Sequence, residues 1–212
     1  GTHLYVCGPA GMINGVLGKA RALGWPKQNL HSEEFLAPPP GKAFQVRLAK
    51  SNRTIDVAPH QSILEALEAN GVTRIFGNPG TTELPLMDAF ATETDIRYIL
   101  GLQEAALTAM ADGYAQASNG ISVLNLHVTP GLGNAMGMLY DVQRANAPVL
   151  VTAGQQDLEY VITEPVLVGD LPRLARPMVK WAEQVNRVQD LPRLVHRAIK
   201  TALAPPTGPV FL

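Results

Sequence analysis

From about residue 61 onward, short apolar runs alternate with longer amphipathic stretches, and this alternation constrains the fold more than any other feature. The apolar runs predict strands at 73–76, 96–100, 121–127 and 148–153. The amphipathic stretches predict helices near 82–91, 103–117, 132–144 and 190–203. Strand–helix alternation at this spacing favours an α/β fold with a parallel sheet that carries helices on both faces.

The segment in front of this domain has a different pattern. An apolar run within residues 3–7 predicts a short strand, and residues 10–23 carry apolar side chains at helical spacing. The stretch LAPPPGK at 36–42 is typical of an extended linker. The runs at 44–49 and 53–57 form a hairpin pattern. We therefore expect a small N-terminal α+β fragment.

A short helix lies at the junction of the two patterns. Ser62 followed by Glu65 is a capping-box pattern, in which each residue bonds the backbone N–H of the other. Gly71 stands where a left-handed C-terminal cap is favoured. Any domain can use such a helix, so the helix alone does not indicate which segment it belongs to.

Composition excludes several classes of protein. A net charge of −1 with 46% hydrophobic residues indicates a globular protein without the basic surface that nucleic-acid binding requires. No run approaches the roughly 20 apolar residues of a membrane span, and no leader pattern is present. We expect a cytoplasmic protein with no membrane or nucleic-acid partner. A single cysteine, Cys7, excludes an internal disulfide and a cysteine-built metal cluster.

The N-terminal segment carries motifs of an electron-transfer enzyme. HLYVCGPAGMINGVL, ALGWP and HSEEF resemble the end of the nicotinamide-binding domain of phthalate dioxygenase reductase-type enzymes. FQVRLAKSNRTIDVAPHQSILEALEANGV resembles the start of the 2Fe-2S ferredoxin domain of vanillate demethylase-like members. The resemblance implies that Cys7 and its neighbours lie near the nicotinamide. A small buried apolar residue is an equally good explanation of Cys7.

The ferredoxin resemblance ends where its chemistry would begin. A 2Fe-2S cluster needs four thiolates or close substitutes, but TRIFGNPGTTE follows the helix and no cysteine follows Cys7. We therefore expect neither a 2Fe-2S cluster nor NAD(P) binding by this segment. An electron-transfer oxidoreductase component is the alternative function.

Four motifs follow one another within residues 63–212: FGNPGTTELPLMDAF, RYILGLQEAALTAMADGYAQAS, NLHVTPGLGNAMGMLYDVQRANAPVLVTAGQQ and RPMVKWAEQV. Together they resemble the N-terminal, pyrimidine-binding domain of thiamine diphosphate enzymes, in particular benzoylformate decarboxylase-like members. LEALEANGV fits the first helix of this domain as well as it fits a ferredoxin. We interpret the chain as a chimera or fragment, with a natural bifunctional fragment as the alternative.

The interpretation divides the chain into three segments. Residues 1–35 are a partial nicotinamide-binding segment, residues 36–60 are a linker with a ferredoxin-like hairpin, and residues 61–212 are the pyrimidine-binding domain. The resemblance implies thiamine diphosphate as the cofactor, which supplies the carbanion-stabilising chemistry of decarboxylation.

The resemblance assigns a catalytic and cofactor-binding role to Glu104. Such enzymes need a carboxyl group in apolar surroundings that shares a proton with a nitrogen of the aminopyrimidine ring. Glu104 begins a predicted helix just after an apolar strand, within ILGLQEAALTAM. From the residues alone, a first-turn glutamate favoured by the helix dipole is the simpler explanation.

His127 ends the apolar run ISVLNLH and precedes TPGLGNAMG, which we expect to be a loop. Ligands bind at the carboxyl ends of strands in open α/β sheets. The resemblance implies that His127 is a catalytic residue that gives protons to the substrate or takes them. A hydrogen-bonded core histidine is the alternative.

A second strand-to-helix turn carries the motif GNPGT at 77–81. Glycine there permits close approach of the backbone to a ligand, although most such turns only reverse the chain. The resemblance implies that Pro79 and Gly80 bind the cofactor and that Thr81 contacts the carboxylate of a 2-oxo acid substrate.

The stretch TPGLGN contains Pro130 and Asn134, which match cofactor-contacting positions in related enzymes. Its glycines do not predict a phosphate loop, because this family holds the diphosphate and its magnesium on another domain through a GDG motif, which the 212 residues lack. We expect no metal ligand here, and a site completed by the diphosphate-binding domain of another subunit in a homo-oligomer.

These expectations describe the pyrimidine-binding half-site of a thiamine diphosphate-dependent 2-oxo acid decarboxylase. The chain ends at PPTGPVFL, where the family continues into further domains, so we expect the isolated chain to be inactive. A non-catalytic fragment is a further alternative.

The cysteine count generates a direct test. Protein reconstituted with iron and sulfide should stay colourless, because one cysteine cannot supply the thiolates of a cluster. Visible absorption with iron and sulfide quantification measures the outcome. Stoichiometric charge-transfer bands would contradict the rejection of the ferredoxin interpretation.

Overall fold

The computed structural model describes residues 2–8, 10–34, 44–48, 53–57, 62–91 and 95–212. The chain forms two compact units, Gly1–Pro39 and Pro40–Leu212. In the first unit, β1 (Leu4–Gly8) pairs in parallel with β2 (Leu30–Glu34), and α1 (Ala10–Ala22) lies between them in the chain. The strand and helix predicted for the N-terminal fragment are therefore present.

The second unit begins with a hairpin. β3 (Phe44–Leu48) pairs antiparallel with β4 (Arg53–Val57), as the sequence predicted. The predicted linker at 36–42 and the side chain of Cys7 lie outside the part of the chain that the structure describes.

The rest of the second unit alternates helices with strands. In chain order these are α2 (Ile63–Glu68), β5 (Arg74–Gly77), α3 (Leu84–Phe90), β6 (Arg97–Leu100), α4 (Glu104–Ser118), β7 (Ser122–Leu126), α5 (Val128–Arg144), β8 (Val149–Ala153), α6 (Leu171–Ala175), α7 (Leu191–Leu203) and β9 (Val210–Phe211). Five strands form a parallel sheet in the order β6-β5-β7-β8-β9. The predicted α/β fold class is confirmed. Within the described ranges, no helix combines the length and apolarity needed to cross a membrane.

Helices cover both faces of the sheet because successive strand residues point to opposite sides. Phe76 and Leu124 belong to a buried cluster with α4, α5 and α6. Their chain neighbours Ile75 and Val123 belong to a second buried cluster with α2 and α7. This two-sided burial explains why the strands are continuous apolar runs rather than alternating ones.

The predicted capping box at the start of α2 is present. The Glu65 N–H donates to the Ser62 hydroxyl oxygen at 3.2 Å, and the Ser62 N–H donates to the Glu65 carboxylate at 2.6 Å. Gly71 follows the helix with a φ of 80°, a left-handed conformation that glycine adopts without strain.

The loop predicted after His127 is wrong, because α5 begins directly at Val128. Pro130 lies in the first turn, where the missing N–H has no helical partner to lose. A Cβ on Gly131 would lie 3.3 Å from the carbonyl carbon of Leu126, so glycine lets the helix start tight against the strand. Tertiary packing therefore overrides the turn signal of these residues.

Two glycines outside the site should respond to alanine in opposite directions. Gly71→Ala should lower the free energy of unfolding by about 1–2 kcal/mol, since alanine is strained at positive φ. Gly113→Ala should raise it by about 0.5–1 kcal/mol, because Gly113 lies inside α4 with open space around it. Urea unfolding measures both; changes of the same sign would contradict this account.

Candidate functional site

A group of polar residues in the second unit meets at the carboxyl ends of β5, β7 and β8. β7 lies between the other two strands, and all three run in parallel. Their ends therefore open at one edge of the sheet, where ligands bind in open α/β folds. The turn after β5, His127 after β7 and Gly154 after β8 form this edge.

Glu104 is a buried carboxylate held by two amide groups. Only 7% of the residue is exposed. Asn78 Nδ2 donates to Oε1 at 2.9 Å, and Asn134 Nδ2 donates to Oε2 at 3.1 Å. One donor on each oxygen fixes the plane of the carboxylate. Each oxygen keeps capacity for a further hydrogen bond.

Glu83 is a second buried carboxylate, with 3% of the residue exposed. Its Oε1 accepts from the Thr82 hydroxyl at 2.6 Å and from the Gly154 N–H at 3.1 Å. Its Oε2 accepts from the Gly80 N–H at 2.8 Å and lies 2.8 Å from His127 Nδ1. Glu83 thereby joins the turn after β5 to the ends of both β7 and β8.

Glycine is required at two points of the turn after β5. A Cβ on Gly80 would overlap the imidazole ring of His127, and a Cβ on Gly77 would overlap the hydroxyl of Tyr98. The backbone of this turn therefore lies directly against side chains of the neighbouring strands.

Hydrogen bonds between side chains join β6, β7 and β8 next to the site. The Tyr98 hydroxyl donates to Asn125 Oδ1 at 3.1 Å, and Asn125 Nδ2 donates to Thr152 Oγ1 at 3.1 Å. Burial, with a smaller contribution from the charge of Glu83, raises the pKa of Tyr98 well above its usual range. Tyr98 therefore stays neutral and keeps its role as donor.

The backbone next to His127 is strained. Val128 has a φ of 43° and is fully buried, although a β-branched side chain disfavours the left-handed region. Such strain costs of order 1–3 kcal/mol and persists only where surrounding packing enforces it. It occurs here at the junction where β7 passes into α5.

The predicted site residues fall into two contact groups, two exposed positions and one partly exposed position. Glu104 contacts Asn134, and His127 lies against Gly80. Pro79 is the neighbour of Gly80 in the same turn and is partly exposed. Thr81 and Pro130 are exposed on the first turns of their helical segments. Across the described residues, no cluster of three or more His, Cys, Asp or Glu side chains is placed to hold a metal ion.

Sequence reasoning missed the polar side chains that hold the predicted residues in place. They are Asn78, Thr82, Glu83, Tyr98, Asn125 and Thr152. The available signal was weak: Glu83 lies three residues after Gly80, where a helix-capping glutamate is ordinary. Nothing local indicates that its carboxylate is buried.

A parallel sheet with buried carboxylates at its strand ends is typical of α/β domains that bind ligands at that edge. Comparison with known proteins gives the family. Residues 60–169 match the family model described as thiamine pyrophosphate enzyme, N-terminal TPP binding domain. The chain belongs to this family, which implies thiamine diphosphate as the cofactor.

Similar proteins include decarboxylases and synthases. A benzoylformate decarboxylase of Pseudomonas aeruginosa is 43% identical over 154 residues, which cover 72% of this chain and 29% of that protein. An acetolactate synthase large subunit of Lactococcus lactis is 33% identical over 150 residues, covering 71% of this chain and 26% of that protein. The structure of a thiamine diphosphate-dependent 4-hydroxybenzoylformate decarboxylase of Rhodococcus jostii matches with a TM-score of 0.67 and 42% identity, covering 70% of this chain and 28% of that one. The chain thus spans less than a third of these relatives.

The contact between Gly80 and His127 can be tested by adding one methyl group. Gly80→Ala should displace the imidazole ring, because the new Cβ occupies its position. In NMR spectra, the side-chain resonances of His127 should shift strongly. Gly133→Ala is the matched control, since Gly133 lies on α5 with open space around it. An unmoved His127 resonance in Gly80→Ala would contradict the contact.

Proposed function

We propose that residues 61–212 are the pyrimidine-binding half of a thiamine diphosphate site in a 2-oxo acid decarboxylase of the benzoylformate decarboxylase type. The observation that carries the proposal is Glu104, buried at the sheet edge and held by one amide on each oxygen. The higher identity to a benzoylformate decarboxylase than to an acetolactate synthase, 43% against 33%, supports the decarboxylase class.

The residues present fit the pyrimidine end of the cofactor. The turn that carries Pro79 and Gly80 lies at the sheet edge directly against the His127 ring, because Gly80 has no side chain there. Glu104 keeps an acceptor position on each oxygen, so its carboxyl group can share a proton with a ring nitrogen. Bound thiamine diphosphate would supply a stabilised carbanion, which is the difficult part of decarboxylation.

The predicted site residues have separate tasks in this proposal. Glu104 exchanges a proton with the aminopyrimidine ring, while Asn134 holds the plane of its carboxylate. His127 gives a proton to the substrate or takes one through Nε2. Thr81, exposed at the start of its turn, presents a hydroxyl group to the substrate carboxylate, and Pro130 contributes an exposed contact to the cofactor.

The diphosphate end is proposed to lie on another domain. The 212 residues contain no GDG motif, and the relatives are more than three times as long as the matched region. We propose that a diphosphate-binding domain of another subunit holds the diphosphate and magnesium, which makes the full-length protein a homo-oligomer. The chain alone is then a half-site without turnover.

We propose that the segments before residue 61 derive from a reductase of the type that their motifs resemble, and not from the thiamine diphosphate enzyme. Residues 1–35 would be a partial nicotinamide-binding segment and residues 36–60 a linker with a ferredoxin-like hairpin. The family match that begins at residue 60 supports the second boundary. The division of the compact units after Pro39 supports the first one, and it places the hairpin in the same unit as the α/β domain.

The proposed half-site predicts a gain of activity on completion. The isolated chain should release no carbon dioxide from benzoylformate with thiamine diphosphate and magnesium. Adding the remaining domains of a benzoylformate decarboxylase-like enzyme after Leu212 should restore turnover. In this fusion, Glu104→Gln should lower kcat by on the order of 10²–10⁴-fold, because the amide keeps the shape but cannot pass a proton.

The control for that fusion is Glu183→Gln, which removes an exposed carboxylate and should leave kcat unchanged. His127→Ala should lower kcat while the cofactor dissociation constant stays nearly the same. Full activity of Glu104→Gln would show that Glu104 does not carry the chemistry.

A further inference from the structure

We propose that Glu83 is a positioning residue that holds His127 in the tautomer with its proton on Nδ1, so that Nε2 is the nitrogen that takes and returns protons. This inference deepens the proposed function and rests on it for the role of His127 toward the substrate. It concerns a buried residue to which the proposed function gives no role.

The carboxylate of Glu83 uses its full hydrogen-bond capacity. An ionised carboxylate only accepts, and its two oxygens offer about four positions. Two of these are taken by backbone N–H groups, from Gly154 on Oε1 and from Gly80 on Oε2. The Thr82 hydroxyl takes the second position on Oε1, and His127 Nδ1 takes the second on Oε2.

This environment dictates the tautomer of His127. An acceptor-only oxygen at 2.8 Å from Nδ1 requires that Nδ1 carry the proton and donate it. The other tautomer would set the Nδ1 lone pair against the carboxylate, which is repulsive. Nε2 is then the acceptor nitrogen of the neutral ring, and it has no hydrogen-bond partner among the residues that the structure describes.

Nε2 is accessible while Glu83 is not. The His127 side chain is 24% exposed, whereas that of Glu83 is 2% exposed. A proton can therefore enter or leave through the ring, but a ligand cannot reach the carboxylate. This difference makes Glu83 a positioning residue for the nitrogen that reacts, as in other carboxylate–histidine pairs that catalyse proton transfer.

The sheet order explains how one side chain achieves this. Glu83 follows β5, and Gly154 follows β8, with β7 and the attached His127 between them. The Glu83 carboxylate thus bonds on both sides of the strand that carries the histidine. A Cβ on Gly154 would overlap Oε1, and one on Gly80 would overlap the imidazole, so both glycines close the contact tightly.

Thr82 is the other candidate for control of the tautomer, and its geometry argues against it. The Thr82 hydroxyl lies 3.3 Å from Nδ1 but donates its single proton to Glu83 Oε1 at 2.6 Å. Toward Nδ1 the hydroxyl oxygen can therefore act only as a weak second acceptor. Loss of this hydroxyl should therefore leave the tautomer as it is.

The first test uses the 212-residue chain itself, without cofactor. A long-range ¹H–¹⁵N NMR spectrum of histidine-labelled protein at neutral pH distinguishes a protonated ring nitrogen from an unprotonated one. His127→Gln identifies the His127 signals among the five histidines. We expect protonated Nδ1 and unprotonated Nε2. The reverse pattern in the unmodified chain overturns the proposal.

Two variants then assign the effect to Glu83. Glu83→Leu introduces an apolar side chain of similar size and removes the acceptor. The ring should then shift toward the Nε2–H tautomer that a free histidine side chain favours in water. Thr82→Val removes only the hydroxyl and should keep the Nδ1–H form. A folded Glu83→Leu variant that stays fully Nδ1–H, or a Thr82→Val variant that switches, overturns the assignment to Glu83.

The result stays decidable if Glu83→Leu does not fold, because the unmodified chain and Thr82→Val each have an outcome that overturns the proposal. It is also separate from the proposed function. An active Glu104→Gln fusion would defeat the proposed function without changing any tautomer. Conversely, the wrong tautomer of His127 would defeat this inference while the role of Glu104 could stand.

Discussion

The parallel pairing of β5, β7 and β8 is the constraint on which the site depends. Every residue of β7 is buried, and its backbone bonds to a strand on each side. Gly77 pairs with Asn125, and Leu126 pairs with Ala153, so the three strands end within a residue or two of the same level. Residues far apart in the chain therefore leave the sheet side by side. Glu83 and Glu104 each accept hydrogen bonds from groups that follow these strand ends.

Buried charge makes the polar contacts obligatory. Glu83 and Glu104 are nearly inaccessible, and a buried carboxylate is expensive unless hydrogen bonds replace its water. Among the described residues, no buried side-chain nitrogen or oxygen lacks a partner. A fully satisfied network of this kind holds one arrangement of side chains. The strain at Val128 is borne by this surrounding structure.

The sequence predicted the elements better than the contacts between them. The longer strands and helices and the Ser62 cap follow from periodicity and from side chains that act on their near neighbours, so the local pattern predicted them. The short α6 and β9 were not predicted, because two to five residues are too few to show a period. The start of α5 was not predicted, because Pro130 and the nearby glycines are typical of a turn, and packing against β7 overrides that preference. The motif resemblance indicated Glu104 and His127, but not what holds either one.

What the sequence by itself determined is the α/β class, the element order and, through its motifs, the thiamine diphosphate enzyme family. What only the tertiary structure decided is which side chains support the candidate site. Glu83 reaches His127 and Gly154 across 44 and 71 residues of chain. No periodicity encodes such a contact, because it depends on the order and register of strands in the sheet. The arrangement of acceptors and donors around His127 follows from that order and register.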